Sequence, residues 1–216
     1  MAVSLSNGSV VSVAASYGAA ITISAITNAN PAVATTSAAH GLANGDFVEV
    51  TSGWSKLNSR IVRVAAASGS VFTLEGFDTS SVSLFPSGGG TGTCKKIATW
   101  TQITQMLDLT TAGGEQQFVN YSFLEQDFES QIPTLKSASS MTLSIGDDST
   151  LPHYAILSAA NDDRVPRALR LVLPNGAILL YNGYMTLNKT PSLTKSQIMA
   201  LAATVSMTSQ PVRYAA

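Results

Sequence analysis

Two histidines and one cysteine are the side chains in this sequence best suited to nucleophilic or acid–base catalysis. Such catalysis needs a Ser, Cys or Thr nucleophile beside a His that an acid orients. Neither His40 nor His153 lies in a G-x-S-x-G motif, and Cys94 has only Lys95 and Lys96 as charged neighbours, too few to activate a thiol. We expect no catalytic residue. His40 should close a turn through its ring nitrogens, His153 should have a structural or interface role, and Cys94 should be a small strand residue.

Acidic residues fall into three short groups that could be tested as metal ligands. Two of them, GDDST at 146–150 and NDDRVP at 161–166, lack the alternating D-x-D-x-D-G pattern of a calcium loop, so we expect helix capping and turns. The third, LEQDFES at 124–130, places Glu125, Asp127 and Glu129 on one side of an extended segment. Three like charges there need solvent, a basic partner or the wall of a polar channel. We expect no metal and no cofactor.

The glycine-rich stretch PSGGGTGT at 86–93 invites comparison with a phosphate-binding loop. Such a loop ends in Gly-Lys-Ser or Gly-Lys-Thr and leads into a helix. Neither feature is evident in this stretch. We expect a linker or turn that packs against nothing.

The composition favours a surface that contacts other subunits. Charged residues make up 12% of the chain, about half the usual share, so few groups keep a free monomer soluble. The net charge is −1 and the basic residues are scattered along the sequence. This distribution disfavours a nucleic-acid-binding surface, which usually has clustered basic residues. The single cysteine excludes an intrachain disulfide. No apolar run reaches the roughly 18–20 residues of a membrane span, and the N-terminal stretch lacks the basic region of a signal peptide.

Most segments alternate apolar and polar residues with a period of two, which predicts half-buried strands. A Pro-Asn-Gly turn between two apolar runs predicts a hairpin over 167–188. One region, 148–162, has helical spacing; Ser149 or Thr150 is expected to cap it, with Pro152 in its first turn. The other predicted strands lie at 20–26, 47–50, 60–65, 70–77, 116–124, 137–146 and 196–214. The sequence thus predicts an all-β fold with one short α-helix.

The chain divides into a discontinuous domain and an insert. Residues 27–93 lie between borders rich in glycine or small residues, and we expect them to form a compact inserted β domain. The flanking segments, 1–26 and 94–216, then belong to one domain. Residues 1–18 contain few large apolar side chains, so we expect an arm that orders only on assembly.

The insert resembles a small β module that recurs in virion proteins of bacteriophages. Its pattern is H-G-L-x-x-G-D-x-V, then a Gly followed by L-N-x-R, then F-x-L-x-G. In this chain the pattern falls on His40-Gly41-Leu42, Gly45-Asp46, Val48, Gly53, Leu57-Asn58, Arg60, Phe72, Leu74 and Gly76. The resemblance implies that His40, Gly41, Gly45, Asp46 and Asn58 shape turns of a barrel-like domain projecting from a host protein. Contact with a cell surface or a carbohydrate stays open.

The C-terminal half resembles the major tail tube protein of siphophages, the lambda-like tail tube family. The shared order runs over 137–214: a strand, a helix begun by D-D and P-x-Y, a strand ending in Pro-Asn-Gly, a strand carrying G-x-M, and a closing strand before P-x-x-Y. The resemblance implies a β-sandwich flanked by a helix. It also implies that six subunits close into a ring with a continuous inner β barrel, and that rings stack into a tube.

The same resemblance implies a site, partners and a location. Glu125, Asp127, Glu129 and Lys136 become candidates for lumen or inter-ring contacts, and the loop at about 124–137 is expected to bridge stacked rings. The expected partners are further copies of the chain, the tail tip or baseplate, the tape measure and the tail terminator, with DNA passing through the lumen without specific binding. The protein would reside in the virion tail after synthesis in the host bacterial cytoplasm. The alternatives are a terminator, baseplate or decoration protein, or a receptor- or carbohydrate-binding module.

Overall fold

A computed structural model describes residues 6–216, and fourteen strands and one helix account for most of them. The all-β prediction with one helix is confirmed. In chain order the elements are β1 Val10–Ile26, β2 Ala32–Thr36, β3 Phe47–Ser52, β4 Arg60–Ser68, β5 Val71–Leu74, β6 Gly92–Ile103, β7 Met106–Ala112, β8 Gln116–Tyr121, β9 Ser130–Lys136, β10 Ser140–Gly146, α1 Pro152–Asp163, β11 Arg167–Val172, β12 Ile178–Leu187, β13 Ala200–Met207 and β14 Val212–Tyr214.

The first six strands pair in a closed circuit. The pairing runs from β1 through β2, β5, β4, β3 and β6, and β6 pairs again with β1. Alternating side chains such as Val48, Val50, Phe72 and Leu74 point into the circuit and are fully buried. They belong to one apolar cluster confined to residues 23–94. We call this part the barrel half.

Strands β1 and β6 also belong to a second sheet segment, which has its own core. Its order is β6, β1, β11, β12, β13, β10 and β7. Strands β6 and β7 lie at opposite ends of this order, yet only residues 104–105 separate them in the chain. Both strands contribute to the same apolar cluster, through Ile103 and through the half-buried Met106 and Leu109. The sheet segment therefore folds over on itself around one core, with α1 against β12.

The helix begins later than the predicted caps. It begins at Pro152, and the residue before it, Leu151, is extended and provides no side-chain cap. A residue that precedes proline is held in extended backbone, so the last non-helical position is Leu151 and the predicted capping by Ser149 or Thr150 is wrong. Thr150 instead donates to Asp148 in the turn before the helix. The buried face of the helix consists of His153, Leu157 and Ala160.

Several strand predictions are confirmed in detail. Met141, Leu143 and Ile145 alternate as the buried face of β10, and the Pro-Asn-Gly turn joins β11 to β12. The predicted closing strand over 196–214 is instead two strands, β13 and β14. Pro211 lies in the break, where its missing N–H cannot continue the ladder of hydrogen bonds.

The expected N-terminal arm is wrong for the residues that the structure describes. Strand β1 already begins at Val10, and Val11, Val13 and Ala14 are buried in it. Ser12 and Ala14 are small, but both are buried: Ser12 lies between β6 and β11, and Ala14 pairs with Trp100 of β6. Residues 1–5 of the predicted arm lie outside the described residues.

The glycine-rich stretch is a packed turn and not a free linker. A Cβ added at Gly89 would meet the Trp54 indole nitrogen at 2.9 Å, and one at Gly90 would meet the Trp54 ring at 2.9 Å and Ile26 at 3.0 Å. The Trp54 indole N–H also donates to the carbonyl of Pro86 at 2.8 Å. The prediction that this stretch packs against nothing is wrong. The Trp54 indole occupies the space that a Cβ atom at Gly89 or Gly90 would need.

A third apolar cluster joins the two parts of the chain. It contains Phe47 and Ile61 of the barrel half together with Ile97, Leu180 and Tyr214. Hydrogen bonds surround it: the Asn182 amide donates to Glu49 at 2.8 Å and to the Ser59 carbonyl at 3.0 Å. Because β1 and β6 also run through both parts, the barrel half is attached by two continuous strands and a buried interface.

Candidate interaction surface

The hairpin of β8 and β9 is the most exposed apolar element of the described chain. A single two-stranded hairpin is at best marginally stable in water, so one this exposed is suited to being covered by a partner. Almost every residue of both strands is exposed. Eight large apolar side chains of the hairpin and its turn are exposed: Phe118, Val119, Tyr121, Phe123, Leu124, Phe128, Ile132 and Leu135.

One side of the hairpin, here called the apolar face, contains Val119, Tyr121, Phe123 and Ile132, with Ser130 opposite Tyr121. Val119 is paired directly with Ile132, and paired residues of antiparallel strands point to the same side. Tyr121 follows two residues later on that side, and the Phe123 ring meets it edge-on with 5.6 Å between centroids. These side chains form one continuous apolar stripe from mid-strand to the turn.

The opposite side, here called the amide face, consists of Phe118, Asn120, Gln131 and Pro133. Asn120 is paired with Gln131, and the Gln131 amide donates to the Asn120 carbonyl oxygen at 3.1 Å. The Asn120 amide donates in turn to the Glu129 carboxylate at 3.0 Å. Phe118 and Pro133 form a single apolar pair beside these amides. Most polar groups on this face are thus bonded to one another within the hairpin.

The acidic candidates lie at the tip and do not form the predicted extended row. Residues 122–129 are the turn between β8 and β9, in which the Gln126 N–H donates to the Phe123 carbonyl at 2.9 Å. The chain must reverse there, so an extended segment over 124–130 is wrong. Glu125, Asp127 and Glu129 are all exposed at this tip.

Lys136 is separated from the three carboxylates by the whole of β9. It pairs with Gln116 at the base of the hairpin, which lies about 20 Å from the tip at the usual rise of a strand. The structure therefore places the three acids in one turn and Lys136 at the other end of β9. Lys136 lines a groove of about 430 Å³ with Tyr181, Met207 and Gln210.

The five predicted turn residues of the barrel half hold backbone groups. The Leu42 N–H donates to His40 Nδ1 at 3.0 Å, and His40 Nε2 lies 3.1 Å from the Val71 carbonyl, so the proton sits on Nε2. Gly41 and Gly45 have φ of 62° and 89°, values that favour glycine.

The other two turn residues accept hydrogen bonds from backbone N–H groups. The Asp46 carboxylate accepts the Ala43 N–H at 2.8 Å and pairs with Lys96 at 2.7 Å. The Asn58 side chain accepts the N–H of Ser52 at 3.1 Å.

The remaining chemical candidates are buried in the scaffold. His153 is buried at the start of α1, and desolvation lowers the pKa of its imidazole, with a smaller opposing effect of Asp148. Cys94 is buried in β6, as expected of a small strand residue, and burial raises the pKa of its thiol to about 11. Within residues 6–216, no group of three or more His, Cys, Asp or Glu side chains could hold a metal ion, and no described helix is both long and apolar enough to cross a membrane.

The sequence predicted one of the two strands of this hairpin. The alternation of Val119, Tyr121 and Phe123 against Phe118 and Asn120 predicted β8. It did not reveal β9, because proline is unusual within a strand and the apolar residues of 130–136 do not alternate regularly with polar ones. Without β9 the cross-strand pairs that define the two faces could not be assigned.

A family model described as phage tail tube protein, TTP, matches residues 52–216, about three-quarters of the chain. The match begins in β3 and includes the hairpin, the helix and all later strands. It does not include His40, Gly41, Gly45 or Asp46. No curated protein matches the chain.

Proposed function

Because the chain belongs to the phage tail tube protein family, we propose that its copies close into rings of six, and that the rings stack into the tube of a non-contractile tail. DNA passes through the lumen of this tube into the host without specific binding. The observation that carries the proposal is the family match over residues 52–216. A structural role in the virion tail follows from the family itself, and the ring and the conduit are the proposed details.

The exposed hairpin supports assembly from many copies. Eight large apolar side chains are exposed in this one short element. Burying such a side chain completely stabilises a protein by roughly 1.5–3 kcal/mol relative to leaving it in water. The low charge of the whole chain is consistent with a subunit whose surface is mostly covered. A tube of repeated copies covers such a surface without any other partner.

We propose that the acidic tip faces the lumen or the next ring. Glu125, Asp127 and Glu129 form a cluster of negative charge in the turn at 122–129. Negative charge on a channel wall repels phosphate groups and keeps DNA from adhering. Lys136, at the far end of the hairpin, is proposed to contact a neighbouring subunit beside the groove that it lines.

We propose that residues 27–93 project from the tube as an inserted domain. The apolar cluster within residues 23–94 gives this part a core of its own. At the tube ends, the proposed partners are the tail tip or baseplate, the tape measure and the terminator.

Electron microscopy of the purified protein at high concentration tests the ring and the tube, with sedimentation velocity alongside. Six-fold rings or tubes with outward knobs are the expected result. A compact monomer under all conditions, including with a tail-tip nucleator added, would contradict the proposal. A variant with Glu125, Asp127 and Glu129 changed to Gln should still form tubes but retain added DNA at low salt.

A further inference from the structure

We infer that the hairpin docks on a second copy of the chain through its apolar face, while its amide face stays in contact with water. This inference rests on the proposed self-assembly and names the side of the hairpin that makes the contact. The occupant is a second copy, because the tube proposed above is built from copies of this one chain.

The first argument compares the two faces: the polar side chains of one are already hydrogen-bonded, and the apolar side chains of the other are exposed. On the amide face, Gln131 bonds Asn120 and Asn120 bonds Glu129, so these polar groups are satisfied without a partner. A partner that covered them would have to remove their water and would gain little in return. The apolar face contains no such bonds between side chains and gains from burial over its whole length.

The second argument is continuity. The exposed fractions on the apolar face are 57% for Val119, 38% for Tyr121, 58% for Phe123 and 52% for Ile132, so each still has surface to bury. The Val119–Ile132 pair and the Tyr121–Phe123 contact adjoin one another. Interfaces bury connected apolar centres and keep polar groups at their rims. On the amide face, the Phe118–Pro133 pair is followed toward the turn by the amides of Asn120 and Gln131.

The third argument concerns the base of the hairpin, where the chain turns so that the hairpin extends away from the large sheet of its own subunit. Gly113 and Gly114 have φ of 78° and 81°, and a Cβ at Gly113 would lie 2.0 Å from the carbonyl oxygen of Ala138. The two strands are clamped there by the Ser137 N–H bonded to the Glu115 carbonyl and by the Glu115 N–H bonded to the Ser137 hydroxyl. This turn directs the hairpin out of the sheet that ends at β7, where a neighbour can reach its apolar face.

Adjacent residues of β9 provide a matched test. Ile132→Ser removes an apolar side chain from one face, and Gln131→Ser removes an amide from the other. Both positions are exposed, so the melting temperature of the free subunit should change by no more than about 2 °C in either variant. We expect Ile132→Ser to raise the critical concentration for assembly at least tenfold, as measured by light scattering and electron microscopy. Gln131→Ser should change it less than twofold.

Thiol labelling of the full-length chain gives a second readout. Val119→Cys should react with a maleimide in the free subunit and be protected at least tenfold in assembled tubes, whereas Asn120→Cys should react at similar rates in both. The buried Cys94 contributes little background.

The outcomes separate the inference from the proposed function. A wild-type protein that never assembles contradicts the proposed function. If the wild type assembles and Ile132→Ser assembles equally well, the docking inference is overturned. It is also overturned if Gln131→Ser is as damaging as Ile132→Ser, or if Asn120→Cys is the protected thiol.

Discussion

At the scale of single residues, the side chains that could have been catalytic instead fix backbone groups or fill the core. His40 bonds a turn and a neighbouring strand, and His153 is packed under a helix. Glycines of the turn at 86–93 leave room for Trp54. At this scale the sequence predicted residue roles better than contacts, since the need for glycine around Trp54 arises from residues more than thirty positions away.

The buried His153 predicts a loss of stability in mild acid. Desolvation lowers the imidazole pKa in the folded state, so the neutral form is favoured there. Its contribution to stability is present above the unfolded pKa of about 6.5 and is lost as pH falls through the lower folded value. Denaturant unfolding at pH 7 and pH 5 should show this loss in the wild type and a smaller one in His153→Leu.

The hydrogen-bonded carboxylates on either side of His153 do not mask that effect, because their pKa values are lowered. The pKa values of Asp148, Asp162 and Asp163 are lowered by hydrogen bonds, so their titration lies below about pH 4. An equal pH dependence in wild type and His153→Leu would contradict the prediction.

The packing of Gly90 predicts a cost for the smallest possible side chain. A Cβ there would lie 2.9 Å from the Trp54 ring and 3.0 Å from Ile26, both within a filled core. Gly90→Ala should lower the free energy of unfolding by about 1–3 kcal/mol, the usual range for overpacking. Urea unfolding measures it. Gly18→Ala is the control, because its nearest atom lies at 3.7 Å and its change should stay within about 0.5 kcal/mol.

At the scale of elements, strands with regular alternation could be predicted and strands defined by distant partners could not. The alternation of Met141, Leu143 and Ile145 was sufficient for β10. Strand β7 has exposed and half-buried residues without a clear pattern, and β9 contains Pro133; neither was predicted. The acidic row was misplaced for the same reason, because the reversal at 122–129 depends on β9.

Strand β14 is predicted to fasten the two parts of the chain through one hydroxyl group. The Tyr214 hydroxyl accepts the Arg63 N–H at 2.8 Å, and the Arg63 guanidinium lies 4.4 Å above the Tyr214 ring. Tyr214→Phe removes the acceptor of that part-buried N–H, so the free energy of unfolding should fall by about 1–2 kcal/mol. Chemical denaturation measures the change. Tyr184→Phe, at a half-exposed position, should have almost no effect; equal losses in both would refute this role for Tyr214.

At the scale of the whole molecule, the barrel half and the rest of the chain share strands as well as an interface. The insert boundaries at 27 and 93 were drawn from composition, and they fall at the ends of β1 and β6, which run on into the second sheet segment. Composition could suggest a separate insert. It could not reveal that Phe47 and Ile61 pack against Leu180 and Tyr214, since these pairs are more than a hundred residues apart.

Deletion of residues 27–93 is therefore predicted to damage what remains. The deletion uncovers Ile97, Leu180 and Tyr214, each worth about 1.5–3 kcal/mol when buried. We expect the melting temperature to fall by about 10 °C or more and dye binding to exposed apolar surface to rise. Adding Ile97→Thr and Leu180→Thr to the deletion should lower dye binding. A deletion variant as stable as the full chain would show that the two parts are independent.

The continuous strands β1 and β6 also define a mechanical path. They pair with each other in two regular stretches, Val11–Ala14 and Ala20–Ile23, with register shifts between them, so the pairing reaches into both parts of the chain. A pull on the barrel half, directed along these strands, loads many of their hydrogen bonds at once in shear and does not open them one by one. In the tube proposed above, drag on a projecting barrel half would be passed along this ladder into the rest of the subunit, and the lifetime of the joint under load would follow the unfolding rate of the ladder.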